Sequence, residues 1–262
     1  MGLVAAPITF VHMSDIHLTT PGQLAGGRDS PRRNGLLQRI QRLETPPAFI
    51  VISGDLSDDG SIASYEVLKQ VLAESVAPGI PVLLALGNHD HRAHFRQVVL
   101  GETSPDPEAR YCYSRLIDGL RVIVLDSVIP GEDGGVLGEA QLAWLAAELA
   151  QPAPRGHLIV LHHACRLAAP VHHAPAFIVR DVEALAAVIA PHAATVRGVL
   201  AGHSHQANAA PFAGTLYATA PAALCQLDFL AGEQYIPVSG SGLNLCRLDD
   251  NGLVVNPEFV DE

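Results

Sequence analysis

The chain has 262 residues, with 16 Lys and Arg against 27 Asp and Glu, a formal balance of −11 with histidine neutral. Hydrophobic residues make up 48% and charged residues 16%, which excludes a chain disordered throughout, and the acidic balance without a basic cluster argues against a nucleic-acid polymer as partner. Asp, His, Gly or Pro cuts every apolar run well short of the ~18 residues that a membrane span needs.

Apolar runs ending at polar residues alternate with helix-period segments along the first two-thirds of the chain. In chain order the pattern predicts a strand at Ile8–Met13 and a helix at Arg33–Leu43 with Leu36, Leu37, Ile40 and Leu43 on one face. It continues with strand Phe49–Ser53, helix Ser61–Val76, strand Val82–Leu86 and helix His91–Leu100. Strand Arg121–Leu125, helix Glu139–Ala150, strand His157–Leu161, helix Asp181–Ala190 and strand Arg197–Ala201 follow. The remaining tail reads as all-β, with strands at Gly214–Ala218, Leu224–Phe229, Leu243–Arg247 and Leu253–Val255; Pro152–Pro154 and Gly232–Gly242 read as loops. The class is α/β, and the simplest assembly is two β-rich halves packed as a sandwich and flanked by helices, one domain over 1–262. Met1–Phe10 lacks a basic opening and a long apolar stretch, so no secretory leader is expected and the cytoplasm is the default address.

The residues able to hold a metal stand where predicted strands end: Asp15 and His17, Asp55, Asn88-His89-Asp90, His162-His163, and His203 with His205. In open α/β sheets the carboxyl ends of the strands form the ligand crevice, so five separate segments can deliver side chains to one place. In an extended or turn segment residues i and i+2 project to the same side, so Asp15 with His17, and His203 with His205, can each chelate. The donors are nitrogen and oxygen with no thiolate, a set for Mn²⁺, Fe or Zn²⁺. Seven donors exceed what one tetrahedral ion needs, which points to two ions with Asp55 as the shared carboxylate.

Taken singly, any of the 13 histidines reads as a surface or hydrogen-bonded residue; as an ordered set at strand ends they read as a metal site. His163 reads as a support behind the ligands, and His172-His173 as a Pro-flanked loop. His12 reads as structural, Trp144 as helix packing, Tyr111 and Tyr113 as alternating strand positions, and Asp58 with Asp59 as a charge pair at a helix N-terminus. Cys112, Cys165, Cys225 and Cys246 are far apart and read as reduced thiols, Cys165 being the one close to histidines.

The segments His12-Met13-Ser14-Asp15-Ile16-His17, Gly54-Asp55-Leu56-Ser57-Asp58, Gly87-Asn88-His89-Asp90, His162-His163 and Gly202-His203-Ser204-His205 resemble the calcineurin-like metallophosphoesterases over about residues 8–205. Within that superfamily the wording is most similar to the class III cyclic-nucleotide phosphodiesterases. The resemblance implies a four-layer α/β/β/α fold and two divalent ions, one on Asp15, His17, Asp55 and His205, the other on Asp55, Asn88, His162 and His203. It implies that His89 faces the substrate phosphate, with Asp90 orienting its ring. Ala164-Cys165 departs from the pattern, since relatives commonly carry prolines after the paired histidines. The implied reaction is hydrolysis of a small phosphodiester, a 3′,5′-cyclic nucleotide first and a glycerophosphodiester second, by in-line attack of a hydroxide bridging the two ions. Also implied is a possible homodimer, for which the β-rich tail is the candidate interface. A non-catalytic scaffold would have lost ligands, and none is missing.

Overall fold

The computed structural model describes residues 6–20, 36–37, 39–167, 174–229, 236–238 and 240–260. Two mixed sheets face each other. The first has five strands, β1 (Ile8–Met13), β2 (Ile50–Ser53), β3 (Val82–Ala85), β12 (Ser241–Asp249) and β13 (Gly252–Val260), in the order β13-β12-β1-β2-β3. Its β1, β2 and β3 are parallel, while β12 returns antiparallel to β1 and β13 to β12. The second sheet contains β4 (Tyr113–Ile117), β5 (Leu120–Val124), β6 (His157–Val160), β7 (Val196–Ala201), β8 (Asn208–Phe212) and β9 (Thr215–Thr219), in the order β4-β5-β6-β7-β9-β8. A short pair, β10 (Gln226–Asp228) with β11 (Ile236–Val238), stands apart.

Strict alternation along the strands divides the apolar residues among three cores. Phe10, Phe49, Val51, Val122, Val124, Leu158, Val160 and Leu200 meet between the sheets. Their neighbours Val11, Met13, Ile50 and Ile52 pack outward against helices α1 (Ile62–Ser75) and α2 (Arg92–Val99) through Tyr65, Leu68, Phe95 and Val98. On the other side Ile123, Ile159, Leu161 and Val199 pack against α3 (Glu139–Leu149) and α5 (Val182–Ile189). The outcome is the four-layer α/β/β/α sandwich, and Trp144 contributes to the last of these cores as a packing residue.

Helix limits follow local chemistry. Ser61 caps α1 by accepting from the Ser64 amide at 3.1 Å, and the His91 ring caps α2 by accepting from the His94 amide at 3.3 Å. In the predicted Arg33–Leu43 helix, residues 36–37 and 39–41 are helical, Leu36, Leu37 and Ile40 are buried, and residues 33–35 and 38 lie outside the described residues. Three strands depart from expectation. Tyr113 opens β4 but Tyr111 precedes it; β8 carries Pro211, which an edge strand tolerates; and β11 lies inside the segment read as a loop. Strands β12 and β13 each extend to nine residues, with Pro257 again on an edge. A short helix α4 (Ala174–Phe177) follows His172-His173, which lie outside the described residues. Among the described residues no helix is long and apolar enough to cross a membrane, and all four cysteines are free thiols.

One buried ion pair fastens the two halves. Arg92, the first residue of α2, donates from Nε and Nη2 to the two oxygens of Asp126 at 2.7 and 2.9 Å, and Asp126 also accepts from the Tyr111 and Val128 amides. Removing one member of such a pair strands the other charge away from water. Asp126→Ala should therefore lower the unfolding free energy by about 3–5 kcal/mol, read as a shift in the urea midpoint; a change within 1 kcal/mol would contradict this account.

Candidate metal centre

Strands β1, β2, β3, β6 and β7 all end at one rim, and the loops leaving them carry Asp15, Asp55, Asn88, His162 and His203 in turn. Asp15, His17, Asp55, His203 and His205 have φ of 54°, 41°, 48°, 65° and 51°. Such left-handed backbone costs a non-glycine residue about 1–3 kcal/mol and gathers at functional sites. The paired donors thus share a side through left-handed turns, where spacing alone suggested extended chain. Close packing requires glycine beside them: a Cβ at Gly87 would collide with Asp55 Oδ1 and come within 2.8 Å of His162 Nε2, and one at Gly202 would come within 2.8 Å of Asp15 Oδ2.

All seven expected donors converge. Asp15, His17 and His205 form one group, His17, Asp55 and His89 a second, and Asp55, His162 and His203 a third, each with its donor atoms within 4.8 Å of one another. Asp55 Oδ2 stands between the ends, 3.5 Å from His17 Nε2 and 3.4 Å from His162 Nε2, while Oδ1 accepts from the His89 amide at 3.0 Å. Asn88 Oδ1 lies 3.1 Å from His162 Nε2.

The outer nitrogens fix what the inner ones can do. His162 Nδ1 donates to Ser53 O, His203 Nε2 to Ala176 O and His205 Nδ1 to Cys225 O, each at 2.8 Å, and His17 Nδ1 donates to Asp58 Oδ1 at 2.9 Å. Carbonyls and carboxylates only accept, so these nitrogens carry the protons and the neutral rings present bare lone pairs inward. Inward, His17 Nε2 faces His205 Nε2 at 3.3 Å, and His162 Nε2 faces His203 Nδ1 at 3.1 Å. Asp15 Oδ1, buried, has no hydrogen-bond partner among the described residues. Lone pairs aimed at lone pairs around two buried carboxylates need positive charge between them, so this donor set fits a pair of divalent cations.

In the absence of a cation, protons take that part. Burial pushes His162 down, but the Asp55 carboxylate outweighs it and carries the ring up to about 9. Burial likewise opposes, and Asp15 overcomes, the rise of His205 well above its ordinary range. Burial holds His203 down to about 4, helped by the neighbouring His162.

Several supporting roles differ from expectation. Asp59 does serve the start of α1, accepting from the Ser61 amide and the Ser64 hydroxyl, whereas Asp58 turns away to hold His17. Its carbonyl, not Asp90, orients the His89 ring, accepting from Nδ1 at 2.7 Å and leaving Nε2 directed elsewhere; the His89 side chain is 41% exposed. Asp90 is instead a buried brace that accepts from the Leu56, Ser57 and Gly87 amides and from the Tyr65 hydroxyl. This role was hidden because an acid beside a histidine suggests a pair, while the amides it meets are set by the fold. His163 donates from Nε2 to Asp133 O, accepts from Ser127 Oγ at 2.7 Å and packs on His203 with ring centroids 4.6 Å apart, a support behind the ligands. His12, buried, donates to Ser53 Oγ. At the departure from the proline pattern, the Ala164 amide donates to Phe177 O and the Cys165 amide to the Tyr217 hydroxyl, bonds that prolines could not make.

A family model described as calcineurin-like phosphoesterase matches residues 8–207. The chain belongs to the calcineurin-like phosphoesterases. This phosphoesterase is 38% identical over 251 residues to a probable cyclic nucleotide phosphodiesterase of Rhodococcus erythropolis, covering 93% of this chain and 81% of that one. It is 39% identical over 208 residues to a cAMP/cGMP dual specificity phosphodiesterase of Mycobacterium tuberculosis, covering 78% of this chain and 64% of that protein. A dimetal phosphatase from Danio rerio has the same fold at a TM-score of 0.68 with 16% identity, over 97% of this chain and 98% of that one. Members of the family use a dinuclear metal centre, and this phosphoesterase has the candidate ligand clusters for one.

The histidine shifts give the metal-free phosphoesterase a defined pH response. His162, raised from 6.5 to about 9, contributes stability that is complete below pH 6.5 and lost as pH rises through about 9. His203 and His12, lowered from 6.5 to about 4 and about 3, contribute stability that is lost as pH falls below 6.5. Chelator-treated protein should thus melt highest near pH 6.5, and added Mn²⁺ should restore the basic limb by replacing the proton. A melting temperature that does not fall between pH 7 and 9 without metal would contradict the assignment.

Proposed function

We propose that this phosphoesterase is a dinuclear metal-dependent phosphodiesterase acting on small phosphodiesters, with 3′,5′-cyclic nucleotides as its substrates. The observation that carries the reading is Asp55 Oδ2, set between two imidazole nitrogens that serve opposite ends of one cluster. Asp15, His17, Asp55 and His205 would hold one ion, and Asp55, Asn88, His162 and His203 the other. Nitrogen and oxygen donors without thiolate suit Mn²⁺, Fe or Zn²⁺. Ions so held would supply the charge that neutralises phosphate oxygens and acidifies water for attack at phosphorus. The chain's own part is orientation: Asp58 aims His17 with its carboxylate and His89 with its carbonyl, so that the exposed His89 ring presents Nε2 to a non-bridging or leaving oxygen. The names of the two bacterial relatives support the cyclic-nucleotide choice.

Asp55→Ala should abolish metal loading and hydrolysis together, and retained turnover would refute the assignment. His89→Ala should keep the metal content while lowering kcat by about 10²–10⁴, the usual worth of a positioned acid or base; loss of metal in that variant would show that His89 is a ligand. Rates on cyclic AMP, glycerophosphocholine and an aryl phosphodiester, measured with metal content on the same sample, rank the substrates. A clear preference for glycerophosphocholine would move the assignment to glycerophosphodiesters.

A further inference from the structure

Tyr65 sits in α1, fully buried in the core between the helices and the first sheet, with its ring held edge-on to Phe95 at 5.8 Å. Its hydroxyl donates to Asp90 Oδ1 at 3.0 Å and accepts from the His91 amide at 2.8 Å. Asp90 in turn accepts from the Leu56 and Ser57 amides, each at 3.1 Å, and from the Gly87 amide at 2.8 Å. One buried carboxylate therefore holds the amides that follow Asp55 and the amide that precedes Asn88, and the phenol ties that carboxylate to the residue after it. We propose that Tyr65 is a positioning residue of the metal centre: through Asp90 and the His91 amide it sets the separation between Asp55 and the Asn88-His89 pair. The inference rests on the metal-centre reading above and adds to it a residue that touches none of the donors.

The geometry makes this separation consequential. Asp55 Oδ2 and Asn88 Oδ1 approach the same nitrogen, His162 Nε2, at 3.4 and 3.1 Å, from loops that leave different strands. A metal site tolerates displacement of its donors by only about 0.5 Å. Without the hydroxyl, Asp90 keeps its three amide bonds but loses its one side-chain donor, and the His91 amide loses its acceptor, so the carboxylate that spans both loops is held less firmly.

Tyr65→Phe removes the hydroxyl and keeps the ring. Tyr113→Phe is the matched control, because the Tyr113 hydroxyl bonds the amide and carbonyl of Leu84 at 2.9 and 3.1 Å, within β3 and not in either loop. Mn²⁺ affinity of the metal-free full chain, measured by competition with a chelating dye, is read beside thermal unfolding and the kinetics of the loaded protein. Tyr65→Phe should weaken Mn²⁺ binding by about tenfold or more and lower kcat with little change in KM, while Tyr113→Phe stays within about twofold despite its own loss of stability. Adding Asp90→Asn to Tyr65→Phe should cost less than the two separate losses combined. Mn²⁺ affinity in Tyr65→Phe equal to that of Tyr113→Phe would overturn the inference. Should Tyr65→Phe fail to fold, Asp90→Asn takes its place against the same control with the same two outcomes. Failure of the unaltered chain to bind Mn²⁺ would overturn the metal-centre reading and this inference with it, a result distinct from equal affinities in the two tyrosine variants.

Discussion

Four imidazoles, each with one nitrogen committed to a fixed acceptor, turn their other nitrogens upon two buried carboxylates. Each acceptor comes from a different part of the chain: Ser53 at the end of β2, Ala176 in α4, Cys225 beyond β9 and the side chain of Asp58. The cost of crowding so many electron pairs is spread over the whole molecule, because every strand that supplies a donor is also anchored in the three cores that the strands share. Five left-handed residues and the glycines beside them mark where the backbone bends to achieve it.

The sandwich serves this arrangement in a simple way. Parallel β1, β2 and β3 in one sheet and parallel β5, β6 and β7 in the other run out at the same rim, so donors from both sheets meet across the gap between them. Arg92 and Asp126 hold that gap from the side, linking the helix that begins just after His89 to the strand end of β5. An acidic chain thereby acquires a place where positive charge is required, and the family's metal chemistry answers that requirement.

Much of this was legible in the residues. Apolar runs ending at polar residues marked strands such as Ile8–Met13 and His157–Leu161, and Ser61 and His91 marked helix starts within one residue. The donors stood out because Asp, His and Asn at strand ends are unusual in number and order. Acceptors were not legible: nothing in the letters says that Asp58 offers its carboxylate to His17 and its carbonyl to His89, or that Asp90 reaches back to the Leu56 amide, since those contacts join residues 41, 31 and 34 apart in the chain. Edge strands escaped for a related reason, because Pro211 and the short span of β11 disguise segments that only their neighbours stabilise.

The span from Ala222 to Cys225 deserves to be weighed against the family match, which ends at residue 207. Its amides at Ala223 and Leu224 bind the carbonyls of Ser14 and Asp15, and the Cys225 carbonyl aims His205. Strand β12, later still, lies directly against β1. A fragment stopped at 207 would keep all seven donors in its lettering and yet be deprived of the struts that point two of them. Recognisable wording and a working centre are therefore separable properties of this chain, and transplanting the motif-bearing part alone would carry over the first without the second.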